Sequence, residues 1–151
     1  MGPTPAMTGS CTVTRIIDGD TLECREASQR IRLLLIDAPE LSQGSSGRQA
    51  RQALERLLPP GTVAAVELDV QERDRYGRIL AYLFTPTGEM VNAVLAREGF
   101  VVPLVLPPNV RYEQQIRAEA RRARGRGAGL WRGSAFDCRP VDHRGGRCDH
   151  R

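Results

Sequence analysis

The chain contains no lysine. All 22 of its basic residues are arginine, set against 18 acidic residues for a net charge of +4. Arginine presents a rigid fork of donors that matches phosphate oxygens, so this balance fits a polyanionic partner. A coding bias that replaces lysine by arginine would give the same composition. Also missing is any apolar run near the roughly 20 residues that span a bilayer, so no membrane span is expected. Histidine is scarce: the two present, His143 and His150, both lie in the C-terminal tail. No Ser–His or Cys–His pair is therefore available in the main body of the chain. No internal repeat is evident. The N-terminus MGPTPAMTGS has neither a basic n-region nor an apolar h-region, so no intact signal peptide is expected.

With 151 residues the chain is long enough for one domain with its own hydrophobic core. Its four cysteines allow three pairings. Cys11 and Cys24 flank a predicted hairpin, and Cys138 and Cys148 can close a loop in the tail. These two disulfides are favoured over free thiols and over metal ligation. The tail pattern Cys138, His143, Cys148, His150 does not match the common structural zinc spacings. Disulfides favour a secreted or periplasmic protein, with the cytoplasm as the alternative.

Residues 1–10 read as a flexible leader, 11–131 as the folded domain and 132–151 as a polar tail. Thr12–Ile17 and Thr21–Arg25 read as strands around Asp18-Gly19-Asp20, a turn sequence with glycine available for positive φ. Ile31–Asp37, Thr62–Val70 and Arg78–Phe84 complete five predicted strands. Arg48–Leu58 places Ala50, Ala53, Leu54, Leu57 and Leu58 on one helical face and stops at Pro59-Pro60-Gly61. Glu89–Glu98 predicts a short helix with Gly99 at C′. Asn109 is placed to cap a third helix, Val110–Arg124. The sum is an α+β, mainly β, molecule: a small closed five-stranded barrel with three helices packed outside it.

Within this frame one stretch is unusual. Ile31–Glu40 reads IRLLLIDAPE, an aliphatic strand that carries Arg32 inside it and Asp37 and Glu40 at its end. Charges are costly to remove from water unless they have a partner or a task. With Asp20 near by across the turn, an arginine suited to phosphate meets carboxylates suited to a hard cation, a combination that points to metal-assisted phosphoryl chemistry. Regular alternation would send Arg32 and Asp37 to opposite faces. They can share a site only if the strand twists, bulges or ends near Ile36–Pro39, where Ala38-Pro39 makes an ending plausible. Taken singly, each feature has a plainer reading. Asp18-Gly19-Asp20 and Asp74-Arg75-Tyr76-Gly77 are turn sequences, and Arg32 could be half of a buried ion pair. The run Arg121–Arg126 reads as a solvated helix end, where cations suit the dipole.

DGDT at Asp18–Thr21, IRLLLIDAPE at Ile31–Glu40, DRYGRILAYL at Asp74–Leu83 and MVNAVLAREG at Met90–Gly99 resemble, in order and spacing, the motifs of the staphylococcal nuclease (thermonuclease) family. The resemblance runs from about Val13 to Trp131. It implies an OB-fold barrel and a calcium-dependent endonuclease that cuts DNA and RNA to leave 3′-phosphate ends. By resemblance, Asp20 and Asp37 bind the Ca2+ ion, joined by the backbone carbonyl of Ala38. Glu40 matches the carboxylate near the attacking water, usually assigned as general base. Arg32 and Arg78 match the arginines that grip the scissile phosphate, and Arg75 and Tyr76 match contacts to a second phosphate. The expected molecule is a monomer whose partners are DNA and RNA. The alternative is a noncatalytic OB-fold nucleic-acid-binding module, with a protein-interaction domain a weaker third. Two departures stand out. The loop LSQGSSG after Glu40 is shorter than in the prototype and lacks its lysines, and Phe100–Pro108 has no tyrosine where the prototype has two.

Overall fold

A computed structural model describes residues 7–148. The strands β1 (Met7–Asp18), β2 (Thr21–Cys24), β3 (Ile31–Leu33), β5 (Val63–Arg73) and β6 (Ile79–Phe84) close into a barrel in the order β1-β2-β3-β6-β5. All neighbours are antiparallel except β3 and β6, which run parallel. A two-stranded ribbon of β4 (Ile36–Asp37) and β7 (Val102–Pro103) stands beside it. With its packed helices, this is the expected α+β fold of OB type.

In β1, Cys11 and Val13 face the core at the period of two. A register shift between Val13 and Arg15 then resets the phase, so Ile16 is the next buried apolar residue. Cys11 is disulfide-bonded to Cys24 across the hairpin, and Cys138 to Cys148, as favoured from the sequence. Leu22, Leu33 and Leu83 share one buried face of the barrel and Tyr82, on the other face of β6, packs edge-on against Tyr112, while Ala50, Leu54, Leu95 and Ile116 bring α1 (Ser45–Leu57), α2 (Val91–Arg97) and α3 (Glu113–Gly125) into the same core.

Several expectations need correction. The leader does not reach residue 10: Met7–Ser10 belong to β1 and pair with β5, Gly9 opposite Val66 and Ser10 opposite Ala65. The remainder of the expected leader lies outside the described residues. Gly19 does not supply a positive φ; it supplies room, because a Cβ there would stand 2.6 Å from Ala50 Cβ and 2.7 Å from Ala38 Cβ. Gly99, by contrast, has the left-handed φ of +83° expected at C′.

Asn109 caps no helix. α3 begins beyond Tyr112, and Asn109 is buried, its Oδ1 accepting from the Gln71 N–H and its Nδ2 donating to the Gln71 carbonyl, each at 2.8 Å. Residues 132–148 of the tail are folded as well. Two 3₁₀ turns, Gly129–Arg132 and Ala135–Asp137, set the Trp131 and Phe136 rings 4.6 Å apart, and the short helix α4 (Pro140–Arg144) follows. His150 lies outside the described residues.

Candidate functional site

The strand expected over Ile31–Asp37 is interrupted at Leu34-Leu35, earlier than the Ile36–Pro39 position expected. Leu35 sits at φ +67°, the left-handed region that L-residues seldom occupy, with its side chain buried. The turn changes which face the chain presents, and the Arg32 and Asp37 side chains meet. Three of its backbone polar groups have named partners. Leu34 N–H donates to the Ala81 carbonyl, the Leu34 carbonyl accepts from Asn92 Nδ2 and the Leu35 carbonyl from Leu104 N–H. The carbonyls of Leu33 and Ile36 both accept from Arg32 Nη1, at 2.7 and 2.9 Å. Arg32 thus holds the turn that brings it to its partners.

The second nitrogen of the same guanidinium faces two carboxylates, Asp37 Oδ1 at 3.2 Å and Asp20 Oδ2 at 3.4 Å. Ala38 N–H donates to Asp20 Oδ2 at 2.8 Å and Thr21 Oγ1 to Asp20 Oδ1 at 2.9 Å. Both carboxylates are buried, Asp37 completely. Burial works to raise the Asp20 pKa, but Arg32 and the hydrogen bonds to Asp20 win and hold it below the usual range. For Asp37 burial wins over its arginine contacts, and its pKa is raised. Asp18, whose Oδ1 accepts from the Asp20 N–H at 3.0 Å, is pushed up to about 7 by burial and by the Asp20 charge.

These groups open on a cleft of about 660 Å³. Asp20, Arg32, Ala38, Glu40, Arg75, Tyr76 and Arg78 line it, with Asp37 behind them. Glu40 sits after the ribbon at the start of a 3₁₀ turn, Leu41–Gln43; its N–H donates to Gln43 Oε1 at 3.0 Å, and its Oε2 accepts from Ser42 Oγ at 3.3 Å. The β5–β6 loop, which also lines the cleft, is pinned by Asp74, which accepts from Tyr76 N–H and Arg78 N–H and pairs with Arg78 Nε at 2.7 Å. Burial alone would raise the Asp74 pKa; those bonds from Arg78 hold it low. Arg75 and Arg78 stand over the exposed Tyr76 ring at 4.9 and 5.7 Å. None of the arginines in Arg121–Arg126 lines the cleft.

Asp18 and Arg144 were not among the sequence candidates. The repeat of Asp on either side of Gly19 is a signal that could have found Asp18. Nothing local marks Arg144, which comes from α4 to pair with Asp37 Oδ2 at 2.7 Å across 107 residues of sequence.

Among the described residues, no three of His, Cys, Asp or Glu are grouped as a ready metal site. The donors at hand are nevertheless all oxygen, two buried carboxylates with an adjacent main-chain peptide. That chemistry suits a hard cation completing its shell with water and does not suit a soft one.

The family model described as staphylococcal nuclease homologue matches residues 30–133. The chain belongs to the staphylococcal nuclease family. It is 33% identical over 126 residues to a thermonuclease of Staphylococcus hyicus, covering 79% of this chain and 73% of that protein. It is 32% identical over 134 residues to endonuclease YncB of Bacillus subtilis, covering 83% and 63%. An uncharacterized endonuclease of Escherichia coli matches at 40% over 89 residues, 58% of this chain and 56% of that one. The matched region contains every candidate site residue except Asp20. No helix among the described residues is long and apolar enough to cross a membrane.

Proposed function

We propose that this member of the family is a calcium-dependent endonuclease that hydrolyses phosphodiester bonds of DNA and RNA and leaves 3′-phosphate ends. The observation that carries the proposal is the convergence of Asp20, Arg32 and Asp37 at a cleft that Arg78 and Glu40 also line. Asp20, Asp37 and the Ala38 carbonyl would hold the ion. Bound there, calcium supplies neutralisation of phosphate charge and a polarised water.

The chain's own groups account for the rest. Glu40, half-buried at the cleft, accepts the proton of the attacking water. The water oxygen bonds to phosphorus, the bond to the 5′ oxygen breaks, and that oxygen leaves to carry a proton as the 5′ hydroxyl. Negative charge grows on the non-bridging oxygens as this happens. Arg32 and Arg78 are the donors for that charge, held in place before reaction, where electrostatic stabilisation is most effective. Arg78 is prepositioned by Asp74. Arg32 exchanges its present carboxylate contacts for phosphate oxygens. Arg75 and Tyr76, exposed at the cleft mouth, bind the neighbouring phosphate. The segment 101–108 has no aromatic ring, so base stacking, which contributes roughly 1–3 kcal/mol per base elsewhere, is weak here. Two disulfides fit a secreted or periplasmic enzyme working as a monomer.

The test is digestion of plasmid and RNA with calcium, with magnesium and with a chelator, comparing wild type with Glu40→Gln. Cleavage should require calcium and fall by about 10²–10⁴ in Glu40→Gln, the usual yield of general base catalysis. Calcium-independent cleavage, or a Glu40→Gln protein as fast as wild type, would refute the proposal.

A further inference from the structure

The cleft contains a positive charge that no reaction step uses. Arg144 stands between Asp37 and Glu40, with Nη2 2.7 Å from Asp37 Oδ2 and Nε 3.6 Å from Glu40 Oε1. Arg32 holds the other oxygen of Asp37, so both oxygens of that buried carboxylate are already taken by guanidinium groups. A cation that used Asp37 would meet Arg144 as a rival for the same atoms.

Arg144 is placed there by a built segment. The disulfide Cys138–Cys148 closes a short loop around α4. Inside it Asp142 gathers Arg139 at 2.8 Å and Arg147 at 3.2 Å, and the Arg147 N–H returns to the Asp142 carbonyl at 2.9 Å. Closing the loop reduces the conformations available to it when undocked, which favours the docked form. The loop rests on the rim of the cleft through Val141 and through His143 Nε2, 3.4 Å from Ser42 Oγ beside Glu40. Neither the family likeness, which ends at residue 133, nor the barrel itself accounts for this arm.

We propose that the disulfide-closed segment 138–148 is an autoinhibitory arm, with Arg144 holding the Asp37 and Glu40 carboxylates where the cation and the attacking water are needed. The inference rests on the calcium-dependent reading above. Cation binding and release of the arm are then one coupled equilibrium: whatever undocks the arm tightens the cation, and the cation loosens the arm by the same factor. An arm docked about nine-tenths of the time weakens apparent cation affinity about tenfold, because only the undocked fraction is competent.

The test is an amide NMR titration of the full chain, 16.7 kDa, with calcium chloride, reading Thr21 and Ala38 for binding and Val141–Arg147 for the arm. In wild type both groups of signals should move together. Arg144→Ala should bind calcium about tenfold more tightly. Arg144→Lys, which keeps the charge, should stay near wild type, and Cys138→Ser/Cys148→Ser, which loosens the arm without touching Arg144, should fall between. Equal affinities for all four proteins, or weaker binding by Arg144→Ala, would overturn the arm while leaving the calcium reading intact. The second result would make Arg144 a working part of the site. If no variant binds calcium, the calcium reading fails and the competition fails with it.

Discussion

Removing the Arg32 guanidinium should uncouple the two tasks this side chain performs. In Arg32→Met the Leu33 and Ile36 carbonyls lose their donor, and the buried Asp20 and Asp37 carboxylates lose the cation facing both. The Arg32 side chain is 13% exposed and those of Asp20 and Asp37 are 7% and 1%. Solvent therefore does little to replace the lost contacts, and the buried-pair regime applies rather than the surface one. Truncating one partner of a buried pair costs about 3–5 kcal/mol at neutral pH. Arg144, which remains on Asp37, places the expectation at the low end, about 3 kcal/mol, or a melting point roughly 6–12 °C lower for a chain of this size.

The pH dependence has a definite sign. Asp20 in wild type has a lowered pKa, so it contributes stability above its unfolded value, and that stability is lost as pH falls through the folded value. Without Arg32 burial dominates, the Asp20 pKa rises, and the Asp37 pKa, already raised, rises further. Each carboxylate then costs stability as pH climbs above about 4, the unfolded value. The gap between variant and wild type should be small near pH 3 and widest at pH 7. Urea denaturation in chelator-treated buffer at both values measures it. A gap below about 1 kcal/mol at pH 7, the level of a surface pair, or one that does not change with pH, would refute this account of the site.

Two further changes probe how the frame holds the site. Gly19→Ala should destabilise by about 1–3 kcal/mol, the usual cost of overpacking, because its Cβ would press on Ala38 and Ala50 at under 3 Å; a urea midpoint equal to wild type would show that the turn can move away. Arg111→Met strips the 2.6 Å ion pair from the fully buried Glu67, leaving that carboxylate to the Tyr112 hydroxyl at 2.9 Å. Because the Arg111 side chain is 39% exposed, the expected loss is about 2 kcal/mol rather than the 3–5 of a wholly buried pair, read from the same urea curves.

The barrel strands and outer helices were legible because their signals are local, alternation in β1, a short apolar run in β6 and a 3.6-residue face in α1. The break at Leu34-Leu35 was not. Five of the six residues from Ile31 to Ile36 are aliphatic, so the run has no polar phase to show where the backbone turns over, and the groups that stabilise the turn include Asn92, 58 residues from Leu34. Residues 7–10 looked like a leader because Thr, Gly and Ser bury little. They form a strand because β5 offers them a ladder, which is a property of the partner and not of the segment. Asn109 sits where a cap is expected, yet an amide that can both donate and accept serves equally well as a partner for the Gln71 backbone.

The site itself shows a sharper division. An arginine and carboxylates within an apolar stretch are conspicuous in one dimension, so the chemistry could be inferred from residue types alone. The charge balance could not. Asp18, Asp20, Asp37 and Glu40 gather near one another, and of the arginines close to them in sequence Arg32 is the one that pairs with Asp20 and Asp37. Burial makes such an excess costly, so the fold must find compensation somewhere. It finds it in the raised pKa of Asp18, pushed up to about 7 by burial and the Asp20 charge so that its negative charge is weakened at neutral pH, and in Arg144 brought from the far end of the chain. Buried carboxylates gathered in one place need countercharge, and that deficit could have been counted from the motifs before its remedy was visible.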